Sequence, residues 1–236
     1  CQLLRGTELY AAYTRGEYAP YSQEALLDLL ADIKPTIPDY CRVNRIIRDI
    51  PGHHIVAGNL RSSLRQDAAE ELRRRGRRCR CIRCREVREI QIDPGRLSPA
   101  ARTYAAGGAQ EHFLSFVTPD DRLAGYARLS LPGPDAPATG LADLDRAALL
   151  REVHVYGQSL EVGTSVEGAA QHIGLGTRLI EEAERRAGAS GFARIAVIAA
   201  LGTRAYYRRL GYELGETYMV KPLGATRPAW KVLRVL

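Results

Sequence analysis

At Arg85 the hydrophobic pattern of the chain changes period, and this break constrains the fold more than any other feature. Upstream, residues 22–33 and 63–75 space their apolar side chains as helices do, whereas residues 85–92, 111–118, 122–131 and 149–156 alternate apolar and polar side chains. Period-two alternation marks antiparallel strands with one buried face. Beyond them come an amphipathic helix over 174–189, an apolar strand over 193–200, a short helix over 203–210 and a final strand over 212–221. Antiparallel strands followed by strand–loop–helix–strand–helix–strand predict a mixed α/β (α+β) domain over residues 85–236. The stretch 132–139, with three Pro and one Gly, is a loop, and the small, polar, aperiodic 157–171 is a mobile one.

Residues 1–84 have the texture of the closing units of an α/β domain whose start lies upstream. Ser22 is positioned as an N-cap before Leu26, Leu27, Leu29, Leu30 and Ile33, and Pro35 and Pro38 end that helix. Residues 41–50 alternate well enough for a strand, and the 63–75 helix carries Leu64, Ala68, Ala69 and Leu72 before its stop signal at Gly76. The one Met is Met219, so a piece of a longer polypeptide is expected.

Charge is concentrated. Residues 73–88 hold nine Arg against one Glu, so with a formal charge of +7 on the chain the remaining residues sum to about −1. No apolar run approaches the roughly 18 residues that span a bilayer, and Cys1-Gln2-Leu3-Leu4 lacks the order of a secretory signal. A membrane protein is excluded and a cytoplasmic one expected.

Three of the five Cys lie inside the cationic run, as Cys79-x-Cys81-x-x-Cys84, too close together to cross-link distant segments. Nearby positive charge favours thiolates, and three thiolates within six residues suit zinc. Cys41, Cys1, His53 and His54 stand equal as the fourth ligand, and three unligated thiols are the alternative. Arg73, Arg74, Arg75, Arg77, Arg78, Arg80, Arg83 and Arg85 form a candidate RNA contact, with Arg45, Arg48, Arg61 and Arg65 as its extension; a solvated charged face is the bland reading.

Gln171-His172-Ile173-Gly174-Leu175-Gly176-Thr177 leads into the 174–189 helix. Glycines that bring backbone N–H groups to a helix N-terminus cradle pyrophosphate; an ordinary strand-to-helix turn is the competing reading. A Rossmann unit would place an acidic residue on the following strand, and 194–199 has none. Further on comes Tyr206-Tyr207-Arg208-Arg209-Leu210-Gly211-Tyr212.

Phosphate loop, helix, apolar strand and Tyr-x-x-x-Gly-Tyr in that order resemble the GNAT acetyltransferase family. The resemblance implies acetyl-CoA between splayed strands and a proton donated by Tyr207 to the departing thiolate, chemistry that suits a phenol; Tyr206 is assigned mainly to core packing. The 151–157 stretch Arg-Glu-Val-His-Val-Tyr-Gly, Gln171-His172, Gly202-Thr203-Arg204-Ala205-Tyr206-Tyr207 and Tyr218-Met219-Val220-Lys221 are similar to the acetyltransferase half of the Elongator catalytic-subunit family, the tRNA uridine carboxymethyltransferases. Arg5-Gly6-Thr7-Glu8-Leu9-Tyr10, Arg45 to Pro51 and Gly58-Asn59-Leu60-Arg61 look like the end of that family's radical-SAM domain.

That resemblance implies modification of the tRNA wobble uridine at carbon 5, contact with the anticodon region, and acetyl-CoA as the source of two carbons. It places a [4Fe–4S] cluster and S-adenosylmethionine in the full-length protein, on a Cys cluster upstream of this chain. It also implies zinc on the Cys79, Cys81 and Cys84 segment. By the same likeness Glu152, Val153, His154 and Val155 line acetyl-CoA, with Glu152 or His154 as water activator. Gln171, His172, Gly174, Leu175, Gly176 and Thr177 hold the pyrophosphate, with Tyr206 and Tyr207 facing the cofactor. A second copy of the chain stays open as a partner. So do two other functions, a freestanding GNAT that acetylates protein lysines and a zinc-stabilised RNA-binding module without catalysis.

Overall fold

The computed structural model describes residues 2–48, 50–88, 90, 92–157 and 174–224, and divides into two units, Cys1–Arg85 and Glu86–Leu236. In the first, β1 (Gln2–Leu4) pairs antiparallel with β2 (Ile55–Gly58). Between these strands run α1 (Glu8–Thr14), N-capped by the Thr7 side chain, and α2 (Gln23–Ile33), N-capped by Ser22 as its sequence foretells. Two further helices follow, α3 (Leu64–Arg74), closed by Gly76 at φ 63°, and α4 (Ile82–Arg85). Leu64, Ala68 and Leu72 of α3 are buried, as their spacing requires.

The strand expected over 41–50 does not form. Its carbonyls are taken by other partners: Ile82 N–H donates to the Cys41 carbonyl at 2.9 Å, and Arg65 Nη2 donates to those of Val43 and Asn44 at 2.9 and 3.0 Å. Once those acceptors are used, no ladder is left to build.

The second unit is a seven-stranded sheet in the order β3-β4-β5-β6-β7-β9-β8. Its members are β3 (Ser98–Ala106), β4 (Ala109–Val117), β5 (Leu123–Pro132), β6 (Ala148–Val155), β7 (Arg194–Val197), β8 (Glu213–Leu214) and β9 (Met219–Pro222). Helix α5 (Leu175–Ala189) crosses between β6 and β7, and α6 (Arg204–Arg209) follows β7. The β6–β7 pair is parallel and the other described pairs are antiparallel. One core holds the sheet to α5: Leu114 and Phe116 of β4, Ala127 and Leu129 of β5 and Leu150 of β6 meet Leu175, Leu179, Ile180 and Ala183.

Two expectations for this unit need correction, and one strand, β3, is not foreseen by its sequence. The described residues of 85–92 make no strand. Arg88 sits at φ 52°, Ile90 N–H closes a turn on the Val87 carbonyl, and only Glu86 bridges to Leu123. The first strand is instead β3, an exposed edge of mostly small residues, held by nine register pairs to β4 through a two-residue turn at Gly107 and Gly108. Both glycines have positive φ, 59° and 76°, which is the hairpin geometry that glycine pairs favour. The 212–221 stretch is not one strand but β8, a turn and β9. The Asp143 carboxylate gathers the turn, accepting from the N–H groups of Glu216, Thr217 and Tyr218 at 3.3, 2.8 and 2.9 Å.

A methyl group at Gly215 would stand 2.0 Å from Asp143 Oδ1. Gly215→Ala is therefore expected to cost about 1–3 kcal/mol, as overpacked sites do, lowering Tm by about 3–10 °C. Gly224→Ala, which meets nothing within 4 Å, serves as the control in the same thermal-unfolding measurement; equal Tm values for the two variants would contradict the account. Among the described residues no helix is long and apolar enough to cross a membrane. The 157–171 loop lies, but for its first residue, outside the described residues.

Candidate functional site: a split sheet, a bare helix start and a thiol cluster

Strands β6 and β7 pair only at Ala148↔Ile195, Leu149↔Ala196 and Leu150↔Val197, yet β6 continues to Val155. The sheet splits beyond Leu150. At the same point the pairing of β6 with β5 shifts, with Arg128 opposite Glu152 and Leu129 opposite Leu150, so Arg151 is a bulge. The bulge resets the alternation: Val153 and Val155 pack on the α5 core, and Glu152 and His154 point to the opposite face.

Helix α5 begins at this split. Its N-cap, Gly174, is left-handed at φ 66°, and among the described residues no side chain caps the helix, so the first-turn N–H groups of Leu175, Gly176 and Thr177 suit an anionic acceptor. A methyl group built on Gly176 would meet the Tyr206 hydroxyl at 3.1 Å and Val155 Cγ2 at 3.7 Å. The helix start therefore lies between the end of β6 and α6, and glycine is what lets both approach. Gln171 and His172 lie outside the described residues.

Tyr206 does more than pack, since its hydroxyl is 3.2 Å from Thr177 Oγ1. Tyr207 is 8% exposed and shares a core cluster with Val197, Ala199 and Leu175. Its ring meets those of Tyr206 and Tyr212 edge-on at 5.4 and 5.5 Å. Burial, then the neighbouring Tyr206, pushes the Tyr207 phenol up to about 12, so it stays protonated near neutral pH.

On the far face, the Glu152 carboxylate is gripped on both oxygens, Oε2 by His154 Nε2 at 3.2 Å and Oε1 by Arg128 Nε. The His154 contact, then Arg128, holds it at about 2. A carboxylate so weakly basic accepts a proton poorly. It is placed to orient the imidazole, the residue type suited to proton exchange near neutral pH. Arg128 is fixed in turn by the Tyr104 hydroxyl at 3.3 Å. Sequence reading missed Arg128, which sits on neighbouring β5 and meets Glu152 through the register, and Tyr104, which reaches across from β3 to fix Arg128. It also missed Ile198 and Leu201, which are 62% and 79% exposed just beyond β7; their signal was apolar residues continuing past the strand.

In the first unit, Cys79, Cys81 and Cys84 bring their sulfurs within 4.8 Å of one another, and among the described residues no fourth ligating atom joins them. The rings of His53 and His54 meet at 4.0 Å, tilted by 50°, and Cys1 lies outside the described residues. Lys34 is 2% exposed and its Nζ donates to Cys84 Sγ at 3.7 Å. A buried ammonium needs an anion, and Lys34 pulls Cys84 toward thiolate, but the contacts with Cys79 and Cys81 outweigh it and leave Cys84 above the usual thiol range. Hydrogen bonds from Cys79 and Cys84 pull Cys81 far below that range.

The arginine run is tied down in part. Arg74 and Arg75 pair with Glu71, Arg75 also with Asp28, Arg77 with Asp32 at 2.9 Å, and Arg80 with Asp39 at 3.9 Å. Arg73, Arg74, Arg77 and Arg78 are exposed, and Arg80 and Arg83 are half-buried. Arg85 is a correction to the candidate RNA contact, because it is 7% exposed and donates inward to the carbonyls of Arg80 and Asp39. Arg65, spent on Val43 and Asn44, is likewise structural.

Residues 1–74 match the Radical_SAM C-terminal domain, and residues 84–212 match the acetyltransferase (GNAT) family. The tRNA uridine(34) acetyltransferase of Dehalococcoides mccartyi is 42% identical over 94% of the chain and 49% of its own length. Elongator complex protein 3 of Danio rerio is 40% identical over 94% of the chain and 41% of its own length. The structure of the archaeal Methanocaldococcus infernus Elp3 with an N-terminal deletion superposes with a TM-score of 0.83 at 36% identity, covering 94% of the chain and 54% of that one. The chain spans about half the length of the curated relatives it matches, or less. With its split sheet and the start of α5 inside the matched segment, the chain belongs to the acetyltransferase (GNAT) family, and a radical-SAM C-terminal segment precedes that domain in its sequence.

Proposed function

We propose that the chain is the acetyl-CoA-using part of an enzyme that modifies carbon 5 of the tRNA wobble uridine, and that tRNA stimulates its cleavage of the thioester. The carrying observation is the split between β6 and β7 with the start of α5, which no described side chain caps, beside it. Acetyl-CoA, when bound, supplies a thioester and its two-carbon unit. The N–H groups of Leu175, Gly176 and Thr177 suit its pyrophosphate. Exposed backbone of β6 past Leu150, at Glu152, Val153, His154 and Val155, suits a polar arm laid along the strand, and Ile198 and Leu201 offer an apolar wall. Tyr207 donates the proton that the leaving sulfur requires, and His154, oriented by Glu152, takes one from the attacking water.

The reading extends to the first unit. Arg73, Arg74, Arg77, Arg78, Arg80 and Arg83 contact phosphates around the anticodon. Exposed pairs such as Arg74–Glu71 and Arg77–Asp32 are worth little in water, so exchanging a carboxylate for a phosphate costs little. Cys79, Cys81 and Cys84 fit zinc by donor chemistry and by the buried Lys34 beside them, and the metal would fix the loop that carries the arginines. In this reading the [4Fe–4S] cluster and S-adenosylmethionine act in a part of the full-length protein outside these residues.

Adding tRNA is expected to raise release of CoA from acetyl-CoA about tenfold or more, the range of a positioned general acid or base coming into play. Thiol release measured with tRNA, without it, and with a lysine peptide checks this. Fast peptide acetylation indifferent to tRNA would instead establish a protein acetyltransferase.

A further inference from the structure

We propose that the sheet face opposite α5 carries a stacking platform for one unpaired nucleobase, built from His154 above Tyr126, with Tyr156, which also packs against the α5 core, at its rim. The proposal rests on the tRNA-modifying reading and adds where the substrate base lies.

Tyr126 of β5 stands in register with His154 of β6, and their rings stack at 5.1 Å and 30°. The Tyr156 ring lies 6.4 Å from His154 at 13° and 6.2 Å from Tyr126. Tyr126 is 1% exposed and forms the floor, whereas half of the His154 side chain, 51%, meets solvent. The rings are locked in place. Arg128 lies 5.6 Å from the centre of the Tyr126 ring and is held by Glu152, and the edge of the imidazole is held by the same carboxylate. Such a set of fixed aromatic rings with an exposed last member is the construction that proteins use to hold single bases. Across the split, Ile198 presents an exposed apolar side chain from the segment leaving β7.

Charge decides against the other acceptor that a GNAT site admits, a lysine ammonium. Both oxygens of Glu152 are engaged, by Arg128 and His154. Glu111 is buried and faces Arg151 at 3.2 Å. A cation approaching this face would meet carboxylates already neutralised, whereas a flat, uncharged ring with a phosphate on each side meets stacking surface and the half-exposed Arg151. Stacking uses the face of the imidazole and proton exchange uses its edge, so His154 serves both without conflict.

An anticodon stem-loop with 2-aminopurine at the wobble position, end-labelled for anisotropy, tests this with the whole chain. Binding of the wild type is expected to quench the 2-aminopurine emission. His154→Phe keeps a ring and should retain both quenching and affinity while losing acetyl-CoA turnover. His154→Ala should abolish quenching and weaken binding about tenfold, the usual size of one lost base stack. Tyr156→Leu should weaken quenching in the same way, with retained acetyl-CoA binding showing that both variants fold. Binding without quenching in the wild type, or quenching that survives His154→Ala, overturns the platform. Loss of quenching in His154→Phe overturns it too, by making the nitrogens rather than the ring the contact. No anisotropy change at all would sink the tRNA reading itself, and the platform with it.

Discussion

Replacing Tyr207 by Phe is expected to lower acetyl-CoA turnover about 100-fold or more, the usual contribution of a positioned general acid, while tRNA affinity stays within about twofold. The expectation follows from what the substitution leaves alone. Tyr207 is packed by its ring, 8% exposed and edge-on to Tyr206 and Tyr212, and Phe keeps that ring in place. Only the hydroxyl goes. With the phenol pushed up to about 12, the proton is present over the working pH range and is given up only to a base formed beside it. A thiolate leaving a thioester is such a base, so the loss should fall on kcat rather than KM. Tyr206→Phe provides the contrast. It removes the 3.2 Å contact with Thr177 at the start of α5, and so should raise KM for acetyl-CoA with kcat nearly unchanged. Steady-state kinetics of both variants, with tRNA affinity measured in parallel, separates the two roles. If Tyr207→Phe loses turnover and tRNA binding together, the hydroxyl is structural and another group must protonate the sulfur.

What was legible in the sequence, and what was not, follows from how far each signal reaches along the chain. Helices α2, α3 and α5 announce themselves because the apolar stripe and a boundary signal, Ser22 and Pro35 for α2, Gly76 for α3 and Gly174 for α5, lie within or beside one element, and strands β4, β5 and β6 because their alternation is long. The stretch 41–50 carries a strand's pattern, but Arg65 and Ile82, some 20 and 40 residues away, claim its carbonyls. Strand β3 shows the reverse case: its Ala-rich sequence has weak strand propensity, and it exists because Gly107 and Gly108 fold it back onto β4. Alternation along β6 placed Glu152 and His154 on one face, but Arg128, which adds to the His154 contact in making Glu152 a weak base, and Tyr104, which fixes Arg128, come from β5 and β3. The linear charge count has the same blind spot. It registers nine arginines against one glutamate in 73–88 and does not see Asp28 and Asp32 arriving from α2.

Cys81→Ser is the second large expected effect. The wild-type chain should purify with about one zinc, the stoichiometry of a structural thiolate site, and the variant with essentially none. Cys81 is fully buried, accepts hydrogen bonds from both neighbouring thiols, and is the sulfur whose ionisation the cluster most favours. Serine in its place removes the centre of the ligand set. The consequences should then divide between the units. Without the thiolates and their metal, Lys34 is left as a buried ammonium without its anion, at a cost of several kcal/mol. The Arg77–Arg83 loop is then held by Arg77–Asp32, by Arg80–Asp39 and by Arg85 on the Asp39 carbonyl. Within it Arg78, Arg80 and Arg83 crowd like charges that the metal site had pinned, so tRNA affinity should fall about tenfold or more and its salt dependence should flatten as phosphate contacts are lost. The second unit has its own core, built on β4, β5, β6 and α5, and its acetyl-CoA affinity should not change. Metal content by mass spectrometry, tRNA binding at two salt concentrations and acetyl-CoA binding by calorimetry read these three outcomes separately. A wild type free of zinc after purification in zinc-containing medium, or a Cys81→Ser protein with unaltered tRNA affinity, would make the cluster three ordinary thiols. The arginines would then have to be held by their carboxylate partners alone.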